Sequence, residues 1–219
     1  MKNISVLLFL LITLALNAQN NKTSGLNARQ FHKYWKVESE SPDYKVTFLG
    51  DTVEILSPKG LTLWRKEKMS GKVTIEYDAC VVVEVEGDRL SDLNCFWMAS
   101  DPQYPDNIWK REKWRSGIFL NCYSLQLYYM GYGGNHNSTT RFRRYDGNEA
   151  AITNAKARPA ILKEYTDADH LLEANKWYHI KITNENNRVS YYINGVRLVD
   201  FRDADPLTEG WFGFRTTLS

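Results

Sequence analysis

The sequence predicts a single-domain antiparallel β-sandwich, all-β in class. Three observations carry that expectation. Short runs of alternating or β-branched residues recur along the chain, each closed by a turn signal such as Gly50-Asp51 or Asn194-Gly195. Convincing helical periodicity is scarce. No segment repeats at a spacing of tens of residues, which sets propellers and solenoids aside. The 219 residues, 43% hydrophobic and 13% aromatic, suffice for one sizeable core.

The N-terminus reads as a targeting segment rather than as fold. Met1-Lys2-Asn3 is a short positive start, and Ile4 to Leu16 is an apolar run too short to span a bilayer comfortably. Small Ala18 then precedes Gln19 and a polar tract. Residues 1–18 are therefore expected to be a secretory signal peptide, 19–30 a linker and 31–219 the folded domain. The protein is expected to be exported, to a periplasm first and to the medium second. A net charge of +2 gives no reason to expect nucleic acid or a membrane as partner. Cys80, Cys95 and Cys122 each lie in an apolar or alternating segment, so they read as buried small hydrophobes. One bridge with a leftover thiol is the alternative. No Cys/His spacing suits zinc, and no cofactor or metal is expected.

In chain order, residues 30–38 carry Phe31, Tyr34 and Trp35, as a first strand or a short helix. Residues 45–48 and 52–56 flank the Gly50-Asp51 turn as a hairpin. Residues 61–64, 72–77 and 79–85 are further strands, and the apolar stretch 95–99 has the composition of a central one. Residues 100–113 hold two prolines and no periodicity, predicting a long loop. Residues 117–130 alternate like a strand. Phe119, Leu125, Leu127 and Tyr129 share the parity expected to face the core, while Gln126, Tyr128, Met130 and Tyr132 share the polar, aromatic one. After a Gly/Asn-rich turn containing His136, residues 139–145 put Arg141, Arg143 and Tyr145 on one face and Arg144 on the other. Residues 149–160 read as a short helix or loop. Strands at 176–183, 188–193, 196–201 and 211–214 finish the chain, with room after the last for only a stub.

Four stretches together resemble a known family: residues 91–102 (SDLNCFWMASDP), 128–147 (YYMGYGGNHNSTTRFRRYDG), 175–182 (NKWYHIKI) and 205–217 (DPLTEGWFGFRTT). They are similar to exported bacterial concanavalin-like jelly rolls found among polysaccharide-utilisation proteins. The likeness spans roughly residues 35 to 217, and the second stretch is its most specific part. What the resemblance implies is carbohydrate work, with polysaccharide lyases and ulvan oligosaccharide dehydratases as the nearest analogues. The chain departs from that pattern in ending early, which bears on sheet closure.

The polar block Arg115 to Tyr145 supplies residues for β-elimination from a uronate. That reaction needs the carboxylate neutralised, a base for the C5 proton and an acid for the group leaving C4. His136, Tyr145 and Arg143 are the candidate catalytic residues, with base and acid left open between the histidine and the tyrosines. A tyrosine among arginines is expected to have a lowered pKa. Arg115, Gln126, Tyr128, Tyr132, Arg141, Trp109 and Arg215 are candidate binding residues, the arginines for carboxylate or sulfate and Trp109 for stacking on a sugar ring. Each has a plainer reading, as packing aromatic, turn histidine or solvated edge charge. The expected ligand is a uronate-containing oligosaccharide, sulfated or not. A glycoside hydrolase is disfavoured, because no acidic residue lies in the block to form a facing carboxylate pair. The alternative to a lyase is a non-catalytic, lectin-like module.

Overall fold

The computed structural model describes residues 7–11, 28–50, 52–86 and 88–216. Its strands are β1 (Leu7–Leu11), β2 (Trp35–Ser39), β3 (Lys45–Leu49), β4 (Thr52–Leu56), β5 (Leu61–Arg65), β6 (Met69–Ser70), β7 (Val73–Val82) and β8 (Leu93–Ser100), then β9 (Gln126–Gly133), β10 (Thr139–Asp146), β11 (Lys163–Tyr165), β12 (Trp177–Glu185), β13 (Arg188–Ile193), β14 (Val196–Arg202) and β15 (Glu209–Thr216). They form two antiparallel sheets. One runs β14-β13-β12-β7-β1-β4-β3. The other runs β11-β10-β9-β8-β15-β5-β2, with β6 beside β15. The jelly-roll sandwich expected from the sequence is what the chain adopts.

Most predicted strands form within a residue or two of their expected limits. β7 joins two expected runs into one strand, and β15 occupies the middle of its sheet between β8 and β5. Residues 117–130 differ more. Phe119–Ser124 is a 3-10 helix, and the strand begins only at Gln126. The Gly117 backbone, at φ +68, passes so close to Ser39 and Glu40 that no Cβ fits there, and the chain turns rather than extends. A short helix, Ala28–Tyr34, opens inside the expected linker.

Leu7–Leu11, within the expected signal peptide, pairs with β7 on one side and β4 on the other. An extended apolar run satisfies the backbone donors and acceptors along both strand edges. The cleavage point expected at Ala18–Gln19 lies outside the described residues.

Between the sheets, Trp97 lies 5.7 Å from the Tyr128 ring, 6.0 Å from Phe142 and 6.3 Å from Tyr191. Tyr77, Met130, Tyr132, Ile180 and Phe214 share this core. Cys80, Cys95 and Cys122 are free and buried, and burial pushes the Cys95 thiol up to about 12. A second apolar cluster forms on the outer face of the β8–β9–β10 sheet from Phe96, Leu125, Leu127, Tyr129, Tyr145 and Trp211, under a layer built by residues 101–125 and 147–162. That layer decides where the site lies. Residues 101–125, expected to be a long loop to residue 113 and a strand from 117, are tied down by buried charge. Asp101, fully buried, accepts from Arg111 Nε at 2.7 Å, and Arg111 reaches on to Glu149. Arg115, also fully buried, donates to Glu38 at 2.9 Å and to the Ile108 carbonyl at 2.7 Å. Among the described residues no helix is long and apolar enough to cross a membrane.

Candidate functional site

The covering layer leaves part of the outer face of β8, β9 and β10 open as a cleft of about 310 Å³. Its floor is Asn94 from β8, Tyr129 and Gly131 from β9, and Arg141, Arg143 and Tyr145 from β10. Register explains the grouping: Arg141 pairs with Gly131, Arg143 with Tyr129 and Tyr145 with Leu127, and paired residues share a face. Phe119 and Tyr123 wall one side, Arg89 and Asp92 another, and Asn135 and Arg158 complete the rim.

Gly131 is where the floor most needs glycine. A Cβ there would sit 2.4 Å from the Tyr129 hydroxyl, because that side chain lies along the strand across its neighbour. The rim turn is strained to hold its shape. Gly133, Asn135, His136 and Asn137 have φ of 65°, 53°, 56° and 55°, four left-handed residues within five. Asn137 locks the turn, donating to the Leu172 carbonyl and accepting from the Leu172 N–H, both at 2.8 Å.

Charge in the cleft is unbalanced. Arg89 pairs with Asp92 at 2.8 Å, and Arg141 with Glu164 at 2.5 Å. Arg143 donates to the Pro159 carbonyl, and Arg158 lies 5.7 Å over the Tyr123 ring; neither has a carboxylate partner among the described residues. Among the polar atoms of nearly buried side chains that line the cleft, the Tyr145 hydroxyl and Asn94 Oδ1 lack a hydrogen-bond partner, and Asp92 Oδ2 has its ion pair with Arg89 instead of one. Such groups are costly unless something binds them. Burial pushes the Tyr145 phenol well above its ordinary pKa, outweighing nearby Arg143, and Tyr129 is raised for the same reason. The expected lowering of a tyrosine pKa is thus reversed: these phenols are neutral donors, not bases.

Of the sequence candidates, the cleft brings together Arg141, Arg143 and Tyr145. The others lie elsewhere. Strand parity in β9 is the reverse of the expected one, so Tyr128 and Tyr132 belong to the inter-sheet core, where Tyr128 donates to Asp203 at 2.6 Å and Tyr132 to the Leu171 carbonyl at 3.2 Å. Arg144 points to that side too, bonded to Asp203 at 2.8 Å. Gln126 starts β9 away from the cleft. Arg115 is consumed by its buried pair with Glu38, whose carboxyl burial raises despite the arginine. Arg215 is buried beneath Phe119 and bonded to the Gly117 carbonyl at 2.5 Å. Trp109 stands edge-on to Trp211 at 6.2 Å, beside a separate groove near Lys36 and Tyr44. His136 is exposed at the turn, and its neighbour Asn135 takes the place on the rim. Sequence reasoning missed Arg89, Asp92, Asn94, Tyr123, Tyr129 and Arg158. The glycine at 131 was the available signal for the floor. Arg158, in a segment without periodicity, gave none. Among the described residues no group of three His, Cys, Asp or Glu could hold a metal ion.

Fold and cleft together define a jelly-roll β-sandwich with an arginine-rich cleft on the outer face of one sheet. Over residues 55–219 the sequence matches DUF6250, a domain of unknown function, and the chain belongs to that family. No curated protein matches it. Among solved structures it is similar to a protein of unknown function with a galectin-like fold from Bacillus subtilis, at 15% identity and TM-score 0.63, covering 87% of this chain and 86% of that one. It is also similar to the carbohydrate-binding module CBM66 from Bacillus subtilis, at 17% identity and TM-score 0.52, covering 84% and 87%. At such identities the likeness is one of fold.

Proposed function

We propose that the cleft binds the uronate of an anionic oligosaccharide and that the protein acts on it as a carbon–oxygen lyase, by β-elimination. The observation that carries this reading is the pair of guanidiniums, Arg143 and Arg158, facing one cleft without carboxylate partners. Uncompensated arginines in a partly desolvated pocket suit a carboxylate or sulfate, which they grip through paired N–H groups. The aromatic wall of Phe119 and Tyr123 supplies flat apolar surface for a pyranose ring. Likeness in fold to a carbohydrate-binding module supports a saccharide ligand, and the motif resemblance makes ulvan fragments the first to try. A signal peptide at residues 1–18 would place this work outside the cytoplasm.

In the elimination, neutralising the carboxylate acidifies the C5 proton. A base removes it, the C5–H pair becomes the C4=C5 bond, and the C4–O bond breaks with its oxygen taking a proton. Tyr145, held protonated by burial and with an unpartnered hydroxyl, is the donor to that oxygen. Asp92 is the carboxylate lining the cleft and is assigned as acceptor of the C5 proton, once the ligand's anion draws Arg89 away from it. Departure of a sugar makes the protein a polysaccharide lyase; departure of a free hydroxyl makes it a dehydratase.

A second reading, a non-catalytic binding module, draws on the exposure of His136 outside the cleft and on the ion-paired state of Asp92. One experiment separates the two. Ulvan and pectin oligosaccharides are titrated calorimetrically and then incubated with the protein, following ultraviolet absorbance of the unsaturated uronate and loss of water by mass. Binding with product supports the lyase. Binding without product leaves the module, and neither result in any uronate series removes both readings.

A further inference from the structure

We propose that the ligand path continues past Arg158 into a smaller cavity of about 190 Å³, and that this cavity is a second saccharide subsite. The inference rests on the anionic-saccharide reading of the cleft and extends it to ligand length. Tyr123 and Arg158 line both spaces, so these two side chains form the partition between them. The two halves of the partition differ in mobility. Tyr123 is 6% exposed, its ring 5.0 Å from that of Tyr145. Arg158 is exposed, and among the described residues its guanidinium is held by the face of the Tyr123 ring, a weak contact at an exposed site. An anion arriving in the cleft outcompetes that contact, and the guanidinium swings onto it. The backbone stays in place meanwhile, because Arg143 holds the carbonyl of the next residue, Pro159. Arg143 and Arg158 then close on one anionic group from two directions.

Beyond the partition the walls suit a sugar ring. Ala151, Ala157 and Ala160 contribute only methyl groups, leaving space, while Asp146 and Asn148 add polar atoms to the rim. The ligand that fits is an oligosaccharide of at least two residues, with its carboxylate or sulfate at the junction under Arg158.

The test is the affinity of size-graded ulvan and pectin oligosaccharides, measured calorimetrically on the full chain, with carboxyl-reduced and desulfated samples to tell the two anions apart. Wild-type protein should gain about tenfold in affinity when the ligand grows from one ring to span both spaces. Ala160→Trp, at an exposed position on the smaller cavity, should erase that gain. Arg158→Ala should weaken every ligand bearing the junction anion, with Arg158→Lys intermediate, and unfolding curves of all variants should match wild type. A length gain that survives Ala160→Trp overturns the second subsite while leaving the cleft reading intact; affinity indifferent to Arg158→Ala overturns the junction and also removes one of the two arginines on which the cleft reading rests. Failure of every oligosaccharide to bind wild type overturns both.

Discussion

Two arginines from the same stretch of sequence should behave oppositely when truncated, and the contrast tests how the cleft was assigned. Arg143 faces the cleft, and among the described residues its side chain bonds to the Pro159 carbonyl. A hydrogen bond to a charged group contributes about 1.5–3 kcal/mol, so Arg143→Ala should raise Kd for a uronate ligand by about tenfold to about 150-fold. Its stability cost is that of one part-buried, charge-assisted bond to a carbonyl, no more than that same about 1.5–3 kcal/mol. Arg143→Lys keeps the charge but loses the fork and should fall between. Arg115 is fully buried against Glu38, itself 6% exposed, so Arg115→Ala strands a buried carboxylate. Breaking such a pair costs about 3–5 kcal/mol of stability. The assays are calorimetric titration with uronate oligosaccharides and urea unfolding at constant m value. Wild-type affinity in Arg143→Ala, or weakened binding with wild-type stability in Arg115→Ala, would refute the assignment of one arginine to ligand and the other to fold.

Other outcomes follow from the same geometry. Tyr145→Phe should fold normally and lose product formation while retaining binding, read by absorbance and calorimetry; unchanged turnover would remove it as the acid. Tyr77, Tyr129, Tyr145 and Tyr191 all have pKa values raised by burial. The unfolded chain releases these protons near pH ~10 while the folded one keeps them, so stability should hold below pH ~10 and fall above it, by about 1.4 kcal/mol per pH unit for each tyrosine. Tyr145→Phe should lessen that slope by one tyrosine's share in urea unfolding at graded alkaline pH. Gly131→Ala should weaken binding with little change in unfolding midpoint, because the Tyr129 hydroxyl must move off the floor. His136→Ala should leave both affinity and turnover as they are; lost turnover with retained binding would show that the turn carries the imidazole over the cleft.

Much of the fold was legible because turn chemistry and strand alternation agree. Asn194-Gly195 and the turn at residues 184–187 place β12, β13 and β14 correctly, and the valine-rich run gives β7. What sequence could not show was which face of β9 meets the other sheet. Alternation reports orientation only when one face is dry and the other wet. Here both are dry over most of their length: Tyr128, Met130 and Tyr132 enter the inter-sheet core, while Leu127 and Tyr129 lie under the covering layer. Polarity by residue type then misleads, because tyrosine hydroxyls find partners in the core through Asp203 and the Leu171 carbonyl. The covering layer itself was hidden for a related reason. Residues 101–125 are fixed by Asp101, Arg111, Arg115 and Glu38, and charged side chains give no periodic signal of burial.

The same limit explains why few of the arginines singled out in the sequence face the cleft. A sequence shows how many guanidiniums a segment has, but pairing decides which of them can serve a ligand. Arg111, Arg115, Arg141 and Arg144 are each spoken for by a carboxylate, and Arg215 by a carbonyl and a hydroxyl. Their job is to hold the layer and the sandwich edge in place. Arg143 and Arg158 are held instead by a carbonyl and an aromatic face, contacts that leave the positive charge without a counter-ion. On an open surface water would screen such charges, but these two converge on one cleft beside an unpartnered phenol and an unpartnered amide oxygen. Unmet donors, acceptors and charge that converge on one space suit a ligand, and the anionic sugar proposed above would meet all three.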